Sequence, residues 1–137
     1  MHKSYVWSSV GGLLVLLGIM LLLPTAVGLY YGETEYIAFL ICAGAACFIG
    51  ALLYFWERPV RGTRQRMHMK DGYAIVTYVW LVAVLMAMGV YMAVGMTSSI
   101  TDAFFEAVSG FTMTGATILS DVESQAKCVL MWRSVTQ

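Results

Sequence analysis

At 137 residues the chain is long enough for one domain, yet 60% of it is apolar and only 12% charged, against the roughly 25% charged of soluble proteins. The formal net charge is zero, which leaves no electrostatic case for a nucleic-acid partner. Cys42, Cys47 and Cys128 make an odd number without metal-ligand spacing, so no disulfide framework or redox pair follows, and free cysteines pack as small apolar residues.

A bilayer core about 30 Å thick needs about 20 apolar helical residues. Three runs meet that length, from Val10 to Leu29, Tyr36 to Trp56 and Tyr73 to Gly95. The first follows Lys3 and is longer than the roughly 7–15 residues of a signal-peptide core, so it is expected to be retained as a span. Pro24 is expected to bend it, because proline removes a backbone donor. Ala43, Gly44, Ala46, Cys47, Gly50 and Ala51 in the second run would let another helix approach closely.

Glu33 and Glu35 mark the short first link, whereas the second, "ERPVRGTRQRMHMKD", holds Arg58, Arg61, Arg64, Arg66 and Lys70, five of the eight basic residues. Positive charge near span ends favours the cytoplasm. That loop, Lys3 and the N-terminus are therefore expected inside, and Glu33 and Lys127 outside. Tyr30, Tyr31, Tyr36, Trp56, Tyr73 and Tyr78 stand near the ends, as interfacial anchors do.

After the third run, Ser99 with Asp102 three residues on reads as a helix start. "DAFFEAVSG" then predicts a helix of about nine residues, roughly 13 Å and too short to span. Ala103, Phe104, Phe105, Ala107 and Val108 suit burial, Asp102 and Glu106 are four apart on one face, and Gly110 is expected to end it. The acids suit capping and cation attraction. Ser109 lacks a base for nucleophilic chemistry, since His2 and His68 fall in segments expected on the opposite side, so no enzyme is read here.

The following "TMTGAT" exposes backbone, which survives at membrane depth only when buried in protein or lining a water-filled cavity. Backbone carbonyls can replace an ion's hydration shell, and Thr112, Thr114 and Gly115 are the residue types such a segment needs. The short helix would aim the negative end of its dipole at a cation. From the residues alone, a re-entrant pore loop and an ordinary extracellular loop both remain open.

"ITDAFFEAVSGFTMTGATIL" followed by "WRSVTQ" closely resembles the first pore region of the bacterial Trk/Ktr potassium transporters, most closely the TrkH/TrkG type. "LLPTAVGLYYGE" and "KDGYAIVTYVWL" extend the resemblance along the chain. The two helices ahead of the pore unit also favour that type, because the Ktr membrane subunits resemble the same core without them. The implied fold is an all-α membrane protein with three transmembrane helices, a re-entrant pore helix with filter loop, and the start of a further helix. It divides into a two-helix hairpin with a basic cytoplasmic loop at 1–71 and a first helix, pore-loop, helix unit at 72–137, incomplete in its last helix.

The resemblance implies potassium uptake across the bacterial inner membrane, with four such units around one ion path and no covalently bound cofactor. Carried over by position, the pore helix holds Asp102, Phe104, Phe105, Glu106, Ser109 and Gly110. The filter segment is Thr112, Met113, Thr114, Gly115, Ala116 and Thr117, with potassium on the backbone carbonyls of Met113 and Thr114. Family members commonly have threonine where Met113 stands. The implied partners are the remaining repeats or a full-length protomer, a second copy in a homodimer, the lipid bilayer and a cytoplasmic TrkA-like nucleotide-binding regulator. The family continues beyond Gln137 through three more units, so an N-terminal fragment or truncated reading frame is expected. The rival reading is a non-transporting remnant or a small accessory membrane protein packed against a larger partner.

Overall fold

A computed structural model describes residues 3–56 and 69–137, with side chains from Val6 onward. Arg58, Arg61, Arg64, Arg66, His2 and His68 lie outside the described residues. Among the described residues six helices follow in order: α1 Lys3–Met20, α2 Leu22–Tyr31, α3 Tyr36–Trp56, α4 Met69–Ala93, α5 Ile100–Phe111 and α6 Lys127–Thr136.

Three stretches among the described residues are long and apolar enough to cross a membrane: Val6–Tyr31, Tyr36–Trp56 and Met69–Ala93. The first is divided at Leu21. Proline at position 24 can give no N–H to the carbonyl four residues back, and its ring crowds that group; the group is that of Met20, where α1 ends. The interruption is slight, because Leu21 N–H still reaches the Leu17 carbonyl at 3.0 Å and the Thr25 hydroxyl donates to the Leu21 carbonyl at 2.8 Å.

α1 packs along α3 and α4, α2 against α3 and α6, and α5 against α4. The α1–α3 seam is made by small residues. A Cβ on Gly50 would stand 2.7 Å from the Gly11 carbonyl oxygen, one on Gly11 2.7 Å from that of Gly50, and one on Gly18 2.6 Å from the Cys47 sulfur. Backbone meets backbone there, which is how helices gain contact where lipid gives no hydrophobic drive. Ala43 and Ala46 are buried, but Gly44 faces open space and takes no part.

The core joins both ends of the chain: Leu21, Phe39 and Ala43 pack with Val90, Tyr91, Ala107, Cys128 and Trp132. Tyr30, Tyr31, Trp56 and Tyr73 are strongly exposed at the ends of their spans. Tyr78 lies farther inside α4, its ring 6.2 Å from that of Trp7.

Candidate functional site

α5 starts as its sequence dictates. Ser99 is the N-cap, and its side chain accepts from Asp102 N–H at 3.4 Å. The helix has 12 residues and runs through Gly110 to Phe111, so Gly110 does not end it. Gly110 serves packing instead: a Cβ would meet the Thr136 hydroxyl of α6 at 3.0 Å.

The buried face is also different from the expected one. With 3.6 residues per turn, positions 103, 106, 107 and 110 share a side, and Ala103, Glu106, Ala107 and Gly110 are buried together with Ser109. Phe104 and Phe105 point away and are 46% and 43% exposed. Asp102 and Glu106 consequently sit in different surroundings, Asp102 half-buried in the first turn and Glu106 only 2% exposed.

α5 turns back along α4 until the Phe111 ring lies 6.4 Å from that of Trp80, edge to face. Trp80 precedes the end of α4 by 13 residues, about 20 Å of helix at 1.5 Å per residue. The chain therefore returns to the middle of α4, a helix long and apolar enough to cross a membrane, before it reverses. Thr112, Met113 and Thr114 N–H close on the Val108, Gly110 and Ser109 carbonyls at 2.9, 3.0 and 3.1 Å, and two residues take left-handed backbone, Met113 at φ 55° and Gly115 at φ 70°. A non-glycine residue pays about 1–2 kcal/mol for that region, which Met113 bears and glycine avoids.

The outgoing arm is tied to α5 by side chains. Ser109 Oγ donates to the Ala116 carbonyl at 2.5 Å, so its hydroxyl is committed to the loop. Glu106 Oε1 accepts from the Thr117 hydroxyl and from Ile118 N–H, the latter at 2.9 Å. Its other oxygen lies 3.4 Å from Arg133 Nη2 on α6, both side chains being almost fully buried. Charge pairing, and on the carboxylate hydrogen bonding, offset part of the desolvation that would otherwise forbid such groups, while Arg133 Nη1 is buried with no hydrogen-bond partner among the described residues. Spacing singles out Glu106 but not Arg133, which stands 27 positions further on, so the pairing itself is not legible in the sequence; the signal available is an acid on the small-residue face of a short helix.

Among the described residues, nothing donates to the carbonyl oxygens of Thr112, Met113, Thr114 or Gly115. Residues 112–117 are exposed, Met113 to 81%. The Thr112 hydroxyl bonds the Val108 carbonyl at 2.8 Å and the Thr114 hydroxyl at 2.7 Å, which orders this reversal without using its carbonyls. The chemistry available is that of a short row of uncommitted backbone oxygens past the C-terminal end of a helix, where the dipole is negative.

At the other end of the returning segment, Glu33 in the α2–α3 turn accepts from Lys127 N–H at 2.6 Å and Cys128 N–H at 2.9 Å, capping α6. Partial burial pushes the Glu33 carboxyl upward, but the Cys128 and Lys127 N–H groups and the Lys127 charge outweigh it and hold it below the usual carboxylate range. The contribution of the cap is therefore complete above that range and is lost as the pH falls through the lowered value.

No family model matches the chain. It is 30% identical to the Trk system potassium uptake protein TrkH of Halomonas elongata over 128 residues, which are 93% of this chain and 26% of the relative. To the TrkH of Salmonella typhimurium it is 33% identical over 140 residues, covering all of this chain and 28% of that one. The crystal structure of the potassium transporter TrkH from Vibrio parahaemolyticus matches with a TM-score of 0.88 at 28% identity, over 99% of this chain and 29% of the other. The chain thus spans little more than a quarter of the length of these relatives. Over nearly its whole length the chain is thus similar, in sequence and in fold, to membrane subunits of the TrkH/TrkG type.

Proposed function

We propose that this chain supplies the first of four selectivity-filter segments of a potassium uptake pathway. In this reading α5 is a re-entrant pore helix and Thr112 to Thr117 form the filter segment. The Met113 and Thr114 carbonyls take the place of water around the ion. Potassium is the substrate, and no covalent cofactor is required. The observation that carries the reading is the reversal of the chain beside Trp80, midway along a membrane-spanning helix, with carbonyls left free. Irregular backbone at such depth has to line a cavity or be covered by protein, and a row of carbonyls past a helix C-terminus attracts cations.

The remaining assignments follow the family resemblance read in the sequence. Residues 1–71 act as a hairpin ahead of the first pore unit at 72–137, the protomer pairs with a second copy, and a TrkA-like nucleotide-binding regulator docks on the cytoplasmic face. The location is the bacterial inner membrane with the N-terminus inside. Inward movement of one positive charge is then favoured by about 2.3 kcal/mol per 100 mV.

Two measurements test this reading. In cells stripped of their own potassium systems, the chain alone is expected to restore no growth at low potassium, whereas a TrkH whose matching quarter is replaced by this chain restores it. Growth from the chain alone, or none from a replacement that reaches the membrane, counts against the assignment. For orientation, a cysteine at position 33 is expected to react with an impermeant reagent from outside and one at position 64 is not, in a background lacking Cys42, Cys47 and Cys128. The reverse pattern would place the α5 entry on the wrong side.

A further inference from the structure

The cap on α6 reaches across the chain. Helix N-termini leave backbone donors without partners, and Ala126 at the N-cap of α6 has no side-chain acceptor to offer. Glu33 provides what the local sequence lacks, two oxygens for two successive amides. The turn bearing it is itself fixed, with Gly32 at φ 70° and Glu33 N–H bonded to the Gly28 carbonyl at 3.0 Å. Gly28 keeps that turn against α6, because a Cβ there would lie 3.3 Å from the Cβ of Cys128. From Lys127, six residues of helix, about 9 Å, lead to Arg133. Arg133 meets Glu106, and Glu106 holds Thr117 and Ile118.

We infer that Glu33 is a positioning residue for the ion path: by capping α6 it sets the height and rotation of Arg133, and through Glu106 the placement of the arm that follows Gly115. This rests on the filter reading proposed above. A carboxylate is needed because both oxygens accept, whereas the glutamine amide has a single acceptor oxygen.

The test uses the complete subunit, formed by joining this chain to the rest of a TrkH, in cells without other potassium systems. Potassium KM and the potassium-to-sodium uptake ratio are read for Glu33→Gln, Lys127→Pro, Lys127→Gln and Gly115→Ser. Neither quantity depends on how many subunits reach the membrane. Glu33→Gln is expected to raise potassium KM about threefold, well below the roughly tenfold or more that a whole charge-assisted hydrogen bond is worth, because Glu33 acts on the ion path only through α6 and Glu106, and to lower the ratio.

Lys127→Pro deletes one of the two donors and moves both quantities in the same direction. Proline is well tolerated at a first helical position, and Ala126 already has the extended backbone, φ −55° and ψ 142°, that a following proline demands. This variant therefore carries the test even if Glu33→Gln does not fold. Lys127→Gln keeps its backbone N–H and is expected to match the wild type. Wild-type KM and ratio in both Glu33→Gln and Lys127→Pro, with Gly115→Ser shifting the ratio, would overturn the positioning role and leave the filter reading intact. No shift from Gly115→Ser would overturn the filter reading itself.

Discussion

Serine in place of Gly115, in a subunit formed by joining this chain to the rest of a TrkH, is expected to lower the preference for potassium over sodium about tenfold while the protein remains inserted. Gly115 has φ 70°, and a Cβ there would meet nothing within 4 Å, so the cost is conformational rather than steric. A residue with a Cβ pays about 1–2 kcal/mol for left-handed backbone, and the chain relieves it by rotating the adjoining peptides. Those peptides carry the carbonyls of Thr114 and Gly115. A stability loss of this size is within what a folded protein tolerates, but a rotated carbonyl changes the oxygens offered to the ion. Met113→Thr, by contrast, is expected to keep the potassium preference, because residue 113 already carries a Cβ at its φ of 55°, Met113 is 81% exposed and only its backbone is assigned to the ion. Uptake of the two ions at matched membrane abundance decides the matter, and an unchanged ratio in Gly115→Ser removes residues 112–117 from the ion path.

The largest stability effect is expected at Glu106. Glu106→Ala strands a buried guanidinium and releases both anchors of the outgoing arm, Thr117 and Ile118. Removing one partner of a buried ion pair costs about 3–5 kcal/mol. The purified complete subunit should lose thermal stability sharply, with little protein left in the membrane. Asp102→Ala, at a half-buried position in the first turn of α5, should cost well under that. Replacing the pair together, Glu106→Gln with Arg133→Met, should cost less than Glu106→Ala alone, since no charge is then left unmatched. A wild-type melting temperature for Glu106→Ala would mean that the pair does not hold the loop.

What could be read in advance was whatever depends on local pattern. Ser99 capping the Asp102 amide follows from residue types three apart, and Tyr36–Trp56 is bounded as its apolar run is bounded. Gly115 stands in left-handed backbone where a loop of hydroxyl residues reverses. What escaped was decided by packing between distant segments. Gly110 reads as a helix stop, but in the fold it is a gap that admits Thr136. Phe104 and Phe105 read as core by hydropathy alone, yet the α5 face that meets the core is made of small residues and one acid. The Glu106–Arg133 pair and the Glu33 cap join residues that no periodicity relates. Only the folded arrangement of α2, α5 and α6 brings them together.

The Glu33 cap also orders events in time. Its carboxylate and the amides it serves stand 94 and 95 positions apart, and α3, α4 and α5 all emerge from the ribosome between them. The acceptor must therefore wait, ionised and at the membrane surface, until α6 is made. Because the entropy of closing a loop grows only slowly with its length, the wait costs little free energy. It does make the docking of α6 a late step in biogenesis, one that a three-helix nascent chain cannot reach.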